Sequence, residues 1–244
     1  MLKKNIIFDN LKTLIYAIII AIIIRSLFLQ PFYIPSSSME SNLLVGDRLF
    51  VTKYSYGYSK HSFPFSPPIF EDRILQRIPE RGDVIVFKTP SDNRTDYIKR
   101  LIGLPGDIIQ FIDGILYINN KQIFASLVKE NQTLFCGNQK ISVSSYEEKL
   151  PNDKSYIVSY RNDISLTNTD KYIVPKEHYF FLGDNRDCSK DSRFLSEVGY
   201  VHQNNLVGKA QILFFSSDTK KGRIFQFWKW DKIFRFERTF KKIK

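Results

Sequence analysis

Asp107-Ile-Ile-Gln-Phe-Ile-Asp-Gly-Ile-Leu-Tyr-Ile118 is the stretch that sets the fold class. Two short runs rich in β-branched and aromatic residues flank Asp113-Gly114, and an Asp-Gly joint between such runs is a strong hairpin signal. Asn119-Asn120 then turns the chain toward a third strand, Lys121–Ala125. Upstream, Asp83–Lys88 reads as a buried strand after a Gly82 turn, and Arg48–Tyr54 alternates apolar and polar residues. Downstream, Tyr156–Tyr160, His178–Leu182 and Leu206–Phe215 complete the set. No helical period runs between residues 33 and 215, so this part is expected to be all-β. Residues 121–171 are more polar and read as an inserted smaller β subdomain between core strands. His61–Pro68 is too rich in proline for a central strand and reads as a surface loop.

Before the strands lies an apolar segment. Leu14–Ile24 carries no charge, and extension to Phe32 adds only Arg25. That length is close to the roughly 20 residues that cross a bilayer. Lys3, Lys4 and Lys12 precede it, which favours a cytoplasmic N-terminus and an exported remainder. A cleaved signal peptide would end in small residues; Arg25-Ser-Leu-Phe-Leu-Gln30 is bulky, so an uncleaved anchor is expected. The resulting division is a short cytoplasmic segment 1–12, an anchor 13–32, a β core 33–120 and 172–220, the insertion 121–171, and a tail 221–244.

The chain has 244 residues and a formal charge of +11. Between Lys220 and Lys244, ten Lys or Arg face only Asp231 and Glu237, so most of the positive charge belongs to the tail. A nucleic-acid-binding body is therefore not expected. The tail interleaves Phe225, Phe227, Trp228, Trp230, Phe234 and Phe236 with cations, a composition suited to anionic lipid headgroups. A packed last element with a solvated basic end accounts for it equally well. Cys136 and Cys188 are too few for a disulfide scaffold or a cysteine zinc site. Sequence leaves their pairing open.

Three histidines, His61, His178 and His202, lie in contexts that suggest no catalytic triad. A serine nucleophile would need another base, and a lysine serves when burial favours its neutral form. Lys99, within Tyr97-Ile-Lys-Arg-Leu-Ile102, is the best placed. Gly183-Asp-Asn-Arg-Asp-Cys-Ser-Lys-Asp191 is dense in turn formers and charge but lacks an EF-hand pattern. Neither metal nor cofactor is expected.

Five segments in order carry a resemblance to bacterial type I signal peptidase, a Ser-Lys endopeptidase family. They are the anchor; Pro35-Ser-Ser-Ser-Met39 with Leu43; Arg81–Lys88; Tyr97–Asp107; and Gly183–Ser189 continuing through Asp191-Ser-Arg193. Val207-Gly-Lys-Ala210 also fits. The resemblance implies Ser38 as nucleophile, Lys99 as general base, and Ser36 with the Ser38 N–H as oxyanion hole. It implies Ser189 as the residue orienting the lysine, and Arg100 with Asp184, and Asp191 with Arg193, as structural pairs. By motif position, Ile34, Pro35, Met39, Leu43, Tyr97 and Ile98 would line pockets for small residues at positions −1 and −3 of the cleavage site. It further implies signal peptides of exported preproteins as substrates and a single-pass location in the bacterial inner membrane, with an extracytoplasmic, periplasmic catalytic domain.

Two departures stand out. The family usually follows Ser-Met with x-Pro-Thr-Leu, where this chain has Glu40-Ser-Asn-Leu43, and loss of the proline is expected to loosen that segment. Cys188 replaces the usual Asn before Ser189 and is expected to be a spectator. Two rival functions share parts of this pattern. A tethered β domain would bind peptides without turnover, and a Ser-Lys self-cleaving regulator would carry a DNA-binding module and a cleavable linker.

Overall fold

The structure, a computed structural model, describes residues 2–68, 71–163, 168–218, 221–222 and 226–243, with side chains described from residue 8. Phe225, Lys220 and Lys244 of the tail lie outside the described residues. Helix α1 (Leu2–Leu27) contains a 20-residue apolar span, Phe8–Leu27, long enough to cross a membrane. Its Leu14, Ile15, Ile19, Ile20, Ile23 and Ile24 are all exposed, so apolar side chains circle the helix. A helix apolar all round needs an apolar surrounding. The helix stops at Leu27, short of the expected anchor end at Phe32. Pro31 has no N–H and cannot sit inside a helix, whereas an edge strand tolerates it. Leu29–Tyr33 accordingly forms strand β1, at the sheet edge against β2 (Asp47–Thr52).

The remaining strands are β3 (Val84–Lys88), β4 (Asp96–Gly103), β5 (Ile108–Ile112), β6 (Ile115–Ile118), β7 (Lys121–Gln122), β8 (Phe124–Cys136), β9 (Gln139–Lys149) and β10 (Ser155–Arg161). After them come β11 (Tyr172–Ile173), β12 (His178–Leu182), β13 (Val201–His202), β14 (Leu206–Ser216) and β15 (Lys241–Lys242). The opening hairpin forms as expected: Asp113 and Gly114 both have positive φ, at 49° and 75°, the backbone that a tight two-residue turn requires. The third strand of that meander is shorter than expected, and β8 instead runs thirteen residues into a long hairpin with β9.

One sheet runs β1-β2-β14-β3-β4-β12-β13, with β15 added to β14. A second runs β11-β5-β6-β7, and a third β10-β9-β8. The chain is thus mainly β behind one apolar helix. The inserted strands share a core with the rest: Ile123, Leu150, Tyr156 and Val158 cluster with Ile102, Phe111 and Phe180. Two further clusters lie under β2 and β3, around Val51 and Val84, and under β12, around Phe87 and Phe181.

Two strand edges matter for the site. β4 pairs with β3 from Asp96 to Arg100, but β12 covers its other side only from Arg100 onward. The Asp96–Lys99 half therefore keeps an open edge. β1 pairs on one side only, and the chain continues from it directly into Ile34–Ser38.

The tail packs in part against the domain. Ile233 is fully buried, and Arg238 bonds Asp47 at 2.6 Å and the Asn42 carbonyl at 2.8 Å. Phe227, Trp228, Phe236 and Phe240 remain exposed.

Candidate active site

Residues 36–43 leave β1 as consecutive turns. Glu40 N–H donates to the Ser37 carbonyl, and Leu43 N–H to that of Met39. Met39 and Leu43 face inward and are buried with Ile34, Val84 and Val86. That packing turns Ser38 the other way, onto the wall of a cleft of about 520 Å³. Ser36, Lys99 and Cys188 line it too, as do Ile34, Pro35, Tyr97 and Ile98 of the expected pockets. Met39 and Leu43 do not line it. They lie beneath as its floor support, because a tight turn cannot present Ser38 and its apolar neighbours to the same side.

Lys99 Nζ is 2.6 Å from Ser38 Oγ and 3.1 Å from the Ile98 carbonyl. Both residues are nearly inaccessible, at 7% exposure for Ser38 and 4% for Lys99. Burial lowers the Lys99 pKa to about 8, against the opposing pull of Asp191 and Asp184. Each of those carboxylates is tied to an arginine. Arg100 grips Asp184 with two bonds of 2.7 Å, both side chains 1% exposed. Arg193 bonds Asp191 at 2.8 and 2.9 Å. Burial pushes the Asp191 carboxyl up, but Arg193 and the Gly183 N–H bring it below its usual range. The acids near Lys99 are thus largely neutralised, which weakens their hold on its proton.

A second buried lysine shows that a lowered pKa does not make a base. Burial takes Lys53 to about 7, lower than Lys99, yet its Nζ points at the His61 carbonyl and no serine hydroxyl among the described residues is bonded to it. Position beside Ser38 distinguishes Lys99. No histidine lines the cleft.

Ser36 Oγ lies 3.4 Å from Ser38 Oγ at the open side of the cleft. The Ser38 N–H has no partner among the described residues. Ser189 packs against Gly183, where a Cβ would overlap its hydroxyl and come within 2.6 Å of the Ser38 carbonyl. Its Oγ is buried on the Asp191 side, where it helps lower the Asp191 pKa, and it forms no bond to Lys99.

Sequence reasoning passed over several residues here. Asn185 holds the nucleophile turn from below, its N–H on the Ser38 carbonyl and its Nδ2 on the Ser37 carbonyl, both at 3.1 Å. Arg186 forms a buried pair with Glu148 at 2.5 Å, shared with the Tyr156 and Tyr160 hydroxyls. Asn185 and Arg186 stand within the Gly183–Asp191 segment and were visible as part of it. Glu148 carried no sequence signal. The segment after the nucleophile is not loosened by the missing proline. Asn42 Nδ2 bonds Asp184 and the Ile157 carbonyl, each at 2.7 Å, and Ser41 Oγ meets Ser159 Oγ at 2.6 Å. Cys188, expected to be a spectator, is disulfide-bonded to Cys136.

The profile of the family described as signal peptidase, peptidase S26, matches residues 7–215. The chain belongs to that family, and so to the serine-protease hydrolases that cleave signal peptides. A signal peptidase I of Rickettsia typhi is 45% identical over 213 residues, covering 83% of this chain and 78% of that protein. One from Rickettsia bellii is 41% identical over 251 residues, covering 95% and 84%. A crystal structure of a signal peptidase I from Enterococcus faecalis V583 shares 27% identity over 55% of this chain and 97% of its own, at a TM-score of 0.32.

Proposed function

We propose that the chain is a membrane-bound endopeptidase that removes signal peptides with a Ser38–Lys99 dyad. The observation that carries this reading is the 2.6 Å approach of Lys99 Nζ to Ser38 Oγ in a site that lowers the lysine pKa. Neutral Lys99 accepts the Ser38 proton as Oγ attacks the scissile carbonyl. Ser36 Oγ and the Ser38 N–H donate to the oxyanion. Lys99 returns the proton to the leaving amine, and water, activated by the same amine, releases the mature chain from the acyl-enzyme. Ser189 helps seat the lysine by packing, with Arg100–Asp184 and Arg193–Asp191 as the supporting frame.

The substrate enters as an extended strand between the open edge of Asp96–Lys99 and the Tyr33–Ser36 segment. Edge pairing presents alternate side chains to one wall. That alternation suits small residues at −1 and −3, against a surface made by Ile34, Pro35, Tyr97 and Ile98 and backed by Met39 and Leu43.

The chain is a single-pass protein of the bacterial inner membrane, its N-terminus cytoplasmic and its β domain periplasmic. Lys3, Lys4 and Lys12 before the span support that orientation. The Cys136–Cys188 bond supports an oxidising compartment for the domain. The exposed tail aromatics Phe227, Trp228 and Phe236, among their cations, dock on anionic lipid beside the anchor. Cleavage of a model preprotein by wild type and by Ser38→Ala, with the cut site mapped, tests the central claim. Wild-type activity in Ser38→Ala would end it.

A further inference from the structure

The tip of the β8–β9 hairpin, some 50 residues before the Gly183–Asp191 segment, reaches the nucleophile turn. Gly137 N–H donates to Ser37 Oγ at 3.2 Å, and Phe135 N–H to Glu40 Oε2 at 3.1 Å. Asn185 Nδ2 reaches the Phe135 carbonyl at 3.4 Å as well as that of Ser37. Between these residues, Cys136 is bonded to Cys188, which lines the cleft and immediately precedes Ser189. Nearer the base of the inserted strands, Ser41 meets Ser159 and Asn42 bonds the Ile157 carbonyl. Ser159 in turn bonds Ser145, which takes a bond from Gln132 of β8.

Two features set this apart from a hairpin that only rests on the domain. Ser37, Glu40, Ser41 and Asn42, four of the six residues from Ser37 to Asn42, are held by strands of the 121–171 insertion, and Ser38 lies among them. The positions where the chain leaves the family pattern, Ser41, Asn42 and Cys188, all contact that insertion. The turn that carries Ser38 and the loop that carries Ser189 are joined through one hairpin tip.

We propose that the β8–β9 hairpin, locked by Cys136–Cys188, is a positioning element for the dyad. Resting on the Ser38–Lys99 reading, it holds Ser38 Oγ within reach of Lys99 and keeps water from the amine. Cys136, Cys188 and Glu40 are positioning residues; none of them exchanges a proton with substrate. A misplacement of about 1 Å can cost on the order of a hundredfold in rate. An amine that gains water also loses the burial that lowers its pKa.

The test uses the full-length chain in detergent micelles or liposomes with a preprotein substrate, at a temperature where circular dichroism shows every form folded. Dithiothreitol reduces the bond by thiol exchange: its thiolates take the disulfide's place, leaving two cysteine thiols and the cyclic oxidised reagent. Reduction, or Cys136→Ser, is expected to lower kcat about tenfold to a hundredfold with little change in KM. It should also move the rising limb of the pH–rate profile upward from about 8. Cys136→Ser should not respond to dithiothreitol, and reoxidation should restore the wild type. Glu40→Gln, which keeps an acceptor for Phe135 N–H, should retain more activity than Glu40→Ala. A merely stabilising staple would scale the rate with the folded fraction and leave the limb in place. An unmoved limb and unchanged kcat on reduction, with Ser38→Ala inactive, overturn the clamp alone. Activity in Ser38→Ala overturns the dyad and the clamp with it.

Discussion

Lys99 Nζ stands 2.6 Å from Ser38 Oγ, and nothing but burial accounts for its pKa of about 8. Arg100 and Arg193 occupy the two carboxylates that would otherwise pull the proton back. The rate of signal-peptide cleavage should therefore rise with pH through about 8 and level off above it, as the neutral amine becomes the main form. Ser38→Ala and Lys99→Ala should each abolish turnover, and Ser37→Ala should be mild by comparison. A pH profile flat from 6 to 10 would remove Lys99 from the role of base.

The same burial carries a stability penalty. Lys99 titrates near 8 in the folded chain and near 10.5 unfolded, so between those values the unfolded chain binds more protons. Stability contributed at this site rises with pH across that window, and below about 8 the penalty is present in full. Lys99→Met, which has no charge to bury, should be more stable than wild type at pH 7 by on the order of 3 kcal/mol. The gap should narrow toward pH 10. Denaturant unfolding of both proteins at pH 7 and 9.5 measures it, and other titrating groups cancel in the difference.

Ser36→Ala should lose roughly 10²–10³ in kcat if its hydroxyl donates to the oxyanion. Ser36 is exposed at the cleft mouth, so its removal should leave the thermal midpoint unchanged. A loss confined to KM would assign it to binding instead.

Gly183 has no room for a side chain: a Cβ would overlap the Ser189 hydroxyl and press on the Ser38 carbonyl. Gly183→Ala should lower kcat sharply while the fold persists, because the displaced atoms belong to Ser189 and to the nucleophile turn. Retention of wild-type kcat would show that Ser189 can move away freely.

Arg100–Asp184 and Arg186–Glu148 are both buried pairs with side chains at 0–2% exposure. Removing one partner leaves the other charge buried alone, a cost of about 3–5 kcal/mol. Asp184→Ala and Glu148→Ala should each fall in that range by denaturant unfolding. Equal losses would place the insertion residue Glu148 on the same footing as the motif residue Asp184.

Much of this protein was legible from its residues in order. Asp113-Gly114 dictated a hairpin because both positions need positive φ, and apolar runs of strand length marked β3, β10, β12 and β14 within a residue or two. Lys99 stood out as the best-placed base because no histidine offered one, and the resemblance to the signal peptidase family singled out Ser38 from the three serines before Met39. The anchor's end was misjudged at Phe32, since hydropathy alone does not distinguish the last helical turn from an apolar edge strand. Pro31 was the signal for the break.

What the sequence determined by itself is whatever depends on neighbours along the chain: the membrane-length helix, the strands and the turns. Tertiary structure alone decided what depends on residues distant in sequence. It turned Met39 and Leu43 into the floor beneath Ser38, paired Cys136 with Cys188, and set Glu148 against Arg186. It also separated Lys99 from Lys53, two lysines that burial perturbs alike. Local propensity is read one residue at a time, whereas burial and approach distance exist only once the sheets have closed around both partners.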